Sequence, residues 1–288
     1  MRDRPASTTR AQVHVLTDAA RAVRRDDLAT EEPLEIRVAV GGDRSTRTVA
    51  VTMRTPGADF ELAAGFLYGE GVVAEPADIT RLGYCTDPAL AGEQRYNVVT
   101  ATLAADLGDL DLGGLHRHFF TSSACGVCGK AGLDSLRRRG LGAVPAGPPV
   151  PVDTLYRLPS ALAAEQSVFA RTGGLHAAGL FTAAGQTVAV REDVGRHNAV
   201  DKLVGWALLA GRLPLHELVL VVSGRAGFEI VQKAAAAGIP VLCAVSAPSS
   251  LAVAVAEEFG LTLVGFLRGR RCNVYTGPGR VLAPAAGP

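Results

Sequence analysis

The chain has 288 residues, 48% of them hydrophobic and 20% charged, with a formal net charge of +1. That length and balance predict roughly two globular domains with room for a sizeable core, and the near-neutral charge gives no case for nucleic acid or an anionic membrane as the main partner. No run reaches about 18 apolar residues, Met1–Arg10 lacks the apolar stretch of a secretory leader, and five cysteines are an odd number that argues against a disulfide framework, so a reducing cytoplasm is the expected location.

Residues 1–30 read as a polar, mobile arm with one strand around Val13–Leu16. Pro33–Val40 and Thr46–Met53 alternate apolar and polar residues on either side of Gly41-Gly42-Asp43, the pattern of a β-hairpin. Asp59–Gly69 has helical spacing through Phe60, Ala63, Ala64 and Leu67 and stops at glycine. Ile79–Tyr84 and Tyr96–Leu103 read as strands. Strand, strand, helix, strand, strand over residues 31–120 predicts a small β-grasp-like α+β roll.

Residues 121–152 hold a cysteine loop expected to be mobile, a short helix over Ala131–Arg139, and a Pro/Gly-rich linker from Gly140 to Val152. Beyond it, Leu155–Arg171 has helical periodicity, and His176–Thr182 with Thr187–Glu192 reads as a hairpin. Arg196–Ala210 is an amphipathic helix. Leu218–Val222, Pro240–Val245 and Leu261–Phe266 are continuous apolar strands separated by helices at Phe228–Ala237 and Ser249–Phe259. Such strands are covered on both faces, so residues 153–288 read as an α/β fold of three layers, α/β/α.

The densest chemistry lies at Thr121–Lys130, which contains Cys125-Gly126-Val127-Cys128-Gly129-Lys130. Half a zinc site would need a second pair at similar spacing, and Cys85, Cys243 and Cys272 are isolated. A thioredoxin-like redox motif would follow a strand and open a helix. Two incidental buried thiols would be expected in a more apolar segment. A reactive thiol on a mobile loop is the fourth reading. Glycines at 126 and 129 permit unusual backbone angles, and Lys130 with the following helix start favours the thiolate.

A parallel α/β sheet binds ligands at the carboxyl ends of its strands, where helix N-termini face anions. Three such ends carry Ser223-Gly224-Arg225, then Ser246 with Ser249-Ser250, then Arg268-Gly269-Arg270-Arg271. Each serine alone is an ordinary helix cap. Together with the arginines they predict a pocket for a phosphorylated ligand. Neither a P-loop nor a dinucleotide fingerprint is present. Arg191–Lys202 packs many polar groups between a strand and an apolar helix. Asp193 there can cap that helix, and His197 shares a helix face with Asp201. His197, Asn198 and Lys202 either serve structure or face the pocket or the cysteine loop.

These blocks resemble the formate dehydrogenase accessory sulfurtransferase family (FdhD). The matching residues are Ser123–Lys130, Gly173–Ala178, Arg191–Lys202, Ser223–Lys233, Ala244–Leu251 and Gly265–Tyr275, in order from about Glu31 to Thr276. The resemblance implies a cytidine-deaminase-like fold for the C-terminal half. It implies transfer of sulfur from a cysteine desulfurase to the molybdenum bis(molybdopterin guanine dinucleotide) cofactor, bound as substrate through its GDP-like moiety and destined for formate dehydrogenase. Cys125 is then the persulfide carrier and Cys128 its helper, and Phe266, Leu267, Arg268, Gly269, Arg270 and Arg271 form the cofactor-binding stretch. Gly132 and Gly227 stand where many relatives have Ser. The His-x-Glu and second cysteine motif of a zinc deaminase are missing, so deamination and a bound zinc are not expected. The competing readings are a thiol-disulfide oxidoreductase and a non-catalytic cofactor chaperone. A homodimer is expected, on the argument that the small roll exposes strand edges.

Overall fold

The computed structural model describes residues 5–40, 46–87, 90, 92–104, 136–137 and 140–283. The Gly41-Gly42-Asp43 turn and the whole Cys125/Cys128 segment lie outside the described residues. The chain begins with a two-stranded antiparallel hairpin, β1 (Thr8–Leu16) and β2 (Arg21–Ala29), where the sequence predicted one short strand. Most of its side chains are at least partly exposed, so alternation of polarity is weak and the periodicity hides it.

The small roll follows the predicted order. β3 (Glu32–Val40), β4 (Arg47–Arg54), α1 (Asp59–Gly69), β5 (Ile79–Tyr84), α2 (Gly92–Arg95) and β6 (Val98–Leu103) form a four-stranded sheet in the order β4-β3-β6-β5. The first and last strands lie parallel at its centre, and each edge strand pairs antiparallel with its neighbour. Period-two residues Leu34, Ile36 and Val38 face Leu62, Phe66 and Leu67 of α1 in one buried cluster.

The large domain starts with β7 (Val150–Pro151), which pairs with β14 (Val281–Leu282), and α3 (Val152–Ala164). The single helix predicted to Arg171 is two: α3 ends at Ala164 and a short α4 (Ser167–Thr172) follows. Apolar spacing continues across the break, so periodicity alone cannot see it. Then come β8 (His176–Thr182), β9 (Thr187–Asp193), α5 (Arg196–Leu209), β10 (Leu218–Val222), α6 (Phe228–Ala236), β11 (Val241–Ala244), α7 (Ser250–Glu258), β12 (Thr262–Arg268) and β13 (Arg271–Thr276).

These strands make a six-stranded sheet, β13-β12-β11-β10-β8-β9. β10, β11 and β12 are parallel, and the flanking strands are antiparallel to their neighbours. Leu220, Val222, Leu242 and Ala244 pack against α5, α6 and α7 on one face. Val219, Val221, Val241 and Val264 pack against Leu155, Leu158 and Leu162 of α3 on the other. A strand buried on both faces has to be apolar throughout, which is why these runs were legible. The Pro/Gly-rich residues 140–151 lie along this domain: Val144 and Val150 are buried, and Val144 N–H donates to Phe259 O at 2.9 Å.

Helices α1 and α5 cross at two glycines. A Cβ on Gly65 would fall into the carbonyl of Asp201, and one on Gly205 into the carbonyl of Glu61. Only glycine allows the two backbones this close, so the roll and the α/β/α domain meet along bare main chain. Among the described residues, no helix is long and apolar enough to cross a membrane.

Candidate functional site

The polar groups of residues 191–202 go to the joint between the domains. Arg191 reaches Glu61 of α1 through a two-pronged ion pair at 2.5 and 2.8 Å. Asp193 is fully buried. It accepts the N–H groups of Thr55 at 3.2 Å and Gly195 at 2.8 Å, and holds Lys202 Nζ at 2.7 Å. Lys202 also donates to Thr55 O and Glu192 O. Asn198 donates to Met53 O at 2.8 Å and to Asp193 at 2.9 Å. Asn198 thus spends its carboxamide on the joint, and Lys202, which lines a cavity of about 240 Å³ with Arg191 and Glu192, has its ammonium held by Asp193 and two carbonyls. A buried charge has to find a partner, and here the small roll supplies the carbonyls that complete the set.

A second polar pair joins α5 to α6. His197 Nε2 lies 3.1 Å from Glu229 Oε2, and Asp201 is ion-paired to Lys233 at 2.7 Å. The i,i+4 spacing on both helices makes this a two-rung ladder. Burial lifts the Asp201 carboxyl to about 6, with Lys233 limiting the rise. Burial and the neighbouring cations Arg196 and Lys233 hold the His197 imidazole down at about 3. The nearby Glu229 carboxylate is more than half exposed and screened, so the cations prevail. His197 is thus neutral at pH 7, with its Nε2 edge facing the Glu229 carboxylate.

The predicted phosphate-facing residues come together at the carboxyl end of the parallel strands. Ser223 follows β10. Its Oγ accepts the Ala177 N–H and its own N–H donates to Ala177 O, both at 2.9 Å, which ties β10 to β8 and leaves the hydroxyl proton free. The His176 ring packs over Gly224, where a Cβ would meet Nδ1 at 3.3 Å. Arg225 is exposed. A bridge between Ala226 and Pro248 brings the segment after β10 beside the segment after β11. Ser249 caps α7, its Oγ accepting the Ala252 N–H at 3.2 Å, and Ser250 is the exposed first residue of that helix.

At the end of β12, Phe266 has a left-handed backbone with φ of 52°. Its N–H donates to Ser246 O at 3.1 Å. Non-glycine residues hold this conformation at a cost, and such costs concentrate where a ligand is gripped. The strain accompanies irregular pairing of β12 with β13 between Gly265 and Arg268. Leu267 is buried in the core beneath the sheet, so its side chain is turned away from solvent. The Arg268 guanidinium lies over the Phe266 ring at 5.8 Å, and Gly269 makes the left-handed turn into Arg270. Arg270 rests on α3, 2.8 Å from Asp153 and over the Tyr156 ring at 5.4 Å. Arg271 is exposed and opens β13.

Beside this row is a cavity of about 400 Å³ between α3, α4 and the ends of β8, β9 and β10, lined by Gln166, Phe169, Gly174, His176, Val194 and Ser223 among others. Sequence reasoning missed it. Gln166 was counted inside one long helix, and His176 stood in a matching block without a role. The break between α3 and α4 is what turns Gln166 away from the helical pattern.

The family model described as FdhD/NarQ matches residues 29–282. The chain belongs to that family. It is 54% identical over 281 residues to the sulfur carrier protein FdhD of Streptomyces coelicolor and 52% identical over 281 residues to that of Nocardia farcinica, covering 97% of both chains in each case. A solved structure from Desulfotalea psychrophila, described as a formate dehydrogenase accessory protein, superposes with a TM-score of 0.72 at 25% identity, covering 96% of this chain and 99% of that one.

Proposed function

We propose that this chain is a sulfur carrier that takes persulfide sulfur from a cysteine desulfurase and delivers it to the molybdenum bis(molybdopterin guanine dinucleotide) cofactor, its substrate, before that cofactor enters formate dehydrogenase. Family membership over nearly the whole chain carries the reading, because the named relatives are sulfur carriers. The sheet end supports it with a strained Phe266, exposed arginines at 225, 268 and 271, and Ser223 with a free hydroxyl proton. Cationic side chains beside parallel strand ends suit the pyrophosphate of a dinucleotide.

The chemistry balances on two thiols. Cys125 thiolate attacks the terminal sulfur of the donor persulfide, forming a new S–S bond as the donor leaves as a thiolate. Cys128 thiolate then attacks the inner sulfur of Cys125. A Cys125–Cys128 disulfide forms and hydrosulfide departs toward the cofactor, its two electrons drawn from the thiols. A cellular thiol reduces the disulfide for the next round. This cycle requires a reducing compartment, the cytoplasm. Among the described residues β4 and β5 are the edge strands of the small sheet, with Met53 O of β4 taken by Asn198, and the expected homodimer pairs on what remains.

Incubation with desulfurase and L-cysteine is expected to add about 32 Da, one sulfur atom, to the peptide carrying Cys125 in the native protein and nothing in Cys125→Ala. Dithiol turnover without that adduct would favour an oxidoreductase. An active formate dehydrogenase matured by Cys125→Ala would leave only a chaperone.

A further inference from the structure

Arg196, the first residue of α5, stands without a counter-charge. It is part-exposed, and among the described residues its guanidinium makes neither an ion pair nor a hydrogen bond. Its Nε is buried with no acceptor. A Cβ built on Gly224 would meet His176 Nδ1 at 3.3 Å and Arg196 Cδ at 3.7 Å, so the imidazole and the arginine stem lie together over that glycine. The His176 ring is part-buried, and no hydrogen bond among the described residues ends on it. Ser223, one residue before Gly224, keeps its hydroxyl proton free. The carboxylates that bear on this cluster are committed elsewhere: Asp193 holds Lys202 at 2.7 Å and Glu229 faces His197 at 3.1 Å. The start of α5 adds the positive end of a helix dipole. An unneutralised cation with an unpartnered buried nitrogen, beside an imidazole and a hydroxyl that also lack partners, marks a seat for an anion.

The two imidazoles feel the same uncompensated charge. After burial, Arg196 is the largest cause holding both His176 and His197 below the ordinary range, with Asp193 opposing it at His176 and Lys233 and His176 adding to it at His197. A guanidinium neutralised by a carboxylate would act on them far less. Positive potential therefore reaches the wall of the cavity of about 400 Å³ that His176 and Ser223 line. The anion that suits this place is small and singly charged. A neutral imidazole and a hydroxyl supply no second cation, whereas a pyrophosphate calls for several, and the exposed arginines at 225, 268 and 271 stand apart from this cluster, after β10 and β12. A guanidinium is weakly hydrated, and a part-buried one favours an anion that gives up its water readily.

We propose that Arg196, with the His176 imidazole and the Ser223 hydroxyl beside it, is the seat of the sulfur anion itself, a soft monoanion of the hydrosulfide class held after it leaves Cys125 and before it meets the cofactor. The inference rests on the sulfur-carrier reading above and adds to it the group that receives the transferred atom. The hydrosulfide arrives with the electron pair it took from the Cys125–sulfur bond, and Arg196 balances that charge without forming or breaking a bond.

NMR titration of the histidines in the full chain tests the seat, with thiocyanate as a soft monoanion that stays charged throughout and inorganic pyrophosphate at equal concentration as the comparison. In the native protein, thiocyanate is expected to raise the His176 pKa by about half a pH unit and to leave the exposed His216 where it is. Arg196→Gln is expected to raise the His176 pKa with no anion added and to abolish the response. No movement of His176 in the native protein, an equal movement of His216, a response that survives Arg196→Gln, or a larger response to pyrophosphate than to thiocyanate would overturn the seat. The sulfur step gives a second readout. Arg196→Gln is expected to accept the adduct of about 32 Da as the native protein does, yet to mature formate dehydrogenase about tenfold less, with Arg196→Lys restoring part of the loss. Loss of loading in the variant, or full maturation by it, would also overturn the seat. Failure of the native protein to load would sink the sulfur-carrier reading itself, and with it the identity of the anion.

Discussion

Two polar clusters of this protein differ in where their hydrogen bonds go. At the joint between the domains, Arg191, Asp193, Asn198 and Lys202 all end on protein partners, several of them carbonyls of the small roll. Around the cavity at the sheet end, no hydrogen bond among the described residues ends on the side chain of Gln166 or His176. The joint is rich in groups that costly burial would normally exclude, whereas His176 is only part-buried. The first has spent them on holding two domains in one arrangement, and the second keeps them available. Density of polar residues therefore does not by itself mark a binding site, and the partners are what tell an architectural joint from a cavity wall.

The comparison breaks first at Asp193→Ala. Lys202 is 2% exposed and would lose the one carboxylate that pairs with it among the described residues while keeping carbonyl partners. Orphaning a buried charge costs about 3–5 kcal/mol. Urea unfolding is expected to show that loss, and a change under about 1 kcal/mol would mean the joint does not hold the fold together.

Glycine substitutions sharpen the contrast at lower cost. Gly205→Ala places a methyl group into the backbone of Glu61, and backbone cannot rotate away. The helices have to separate, at about 1–3 kcal/mol. Gly224→Ala meets the ring of His176 at 3.3 Å and Arg196 Cδ at 3.7 Å, side chains and not backbone. Its cost is expected to be under about 1 kcal/mol. Thermal unfolding of the two variants side by side checks the ranking, and equal losses would erase the distinction between a packed joint and an open site.

Much of this architecture was legible because burial on both faces forces an apolar strand to be apolar throughout, as in Leu218–Val222. The small roll was legible for the complementary reason, since Leu34, Ile36 and Val38 alternate with outward residues. β13 was not: Arg271 and Asn273 are polar, and its irregular register with β12 removes a clean period. The Ser and Arg residues after β10, β11 and β12 were placed correctly at one end of the sheet by the rule for parallel strands. The role of Asn198 and Lys202 was open because their partners, Met53 and Thr55, lie about 145 residues away in sequence, and no local pattern encodes such a contact. Gln166 was invisible for the same reason, since its importance comes from a cavity assembled by three separate segments.

The smallest expected effect concerns His197, which belongs to neither extreme: it has a partner in Glu229, yet lies within the field of Arg196, Lys233 and His176. Its folded pKa of about 3 is below the ordinary 6.5. The folded state therefore binds fewer protons than the unfolded chain, and the stability this residue allows is present above pH 6.5 and lost as pH falls toward 3. Between pH 7 and pH 5 the linkage amounts to at most about 2 kcal/mol, and partial solvent access reduces it to about 1 kcal/mol. Asp201, raised to about 6, works in the opposite direction and is unchanged by the substitution. His197→Gln removes the titration and keeps a polar side chain facing Glu229. Its denaturation midpoint is expected to fall less than that of the native protein between pH 7 and pH 5. An identical fall in both would mean that the acid sensitivity comes from another group, with His176, part-buried and also held below the ordinary imidazole range by burial and Arg196, the next to replace.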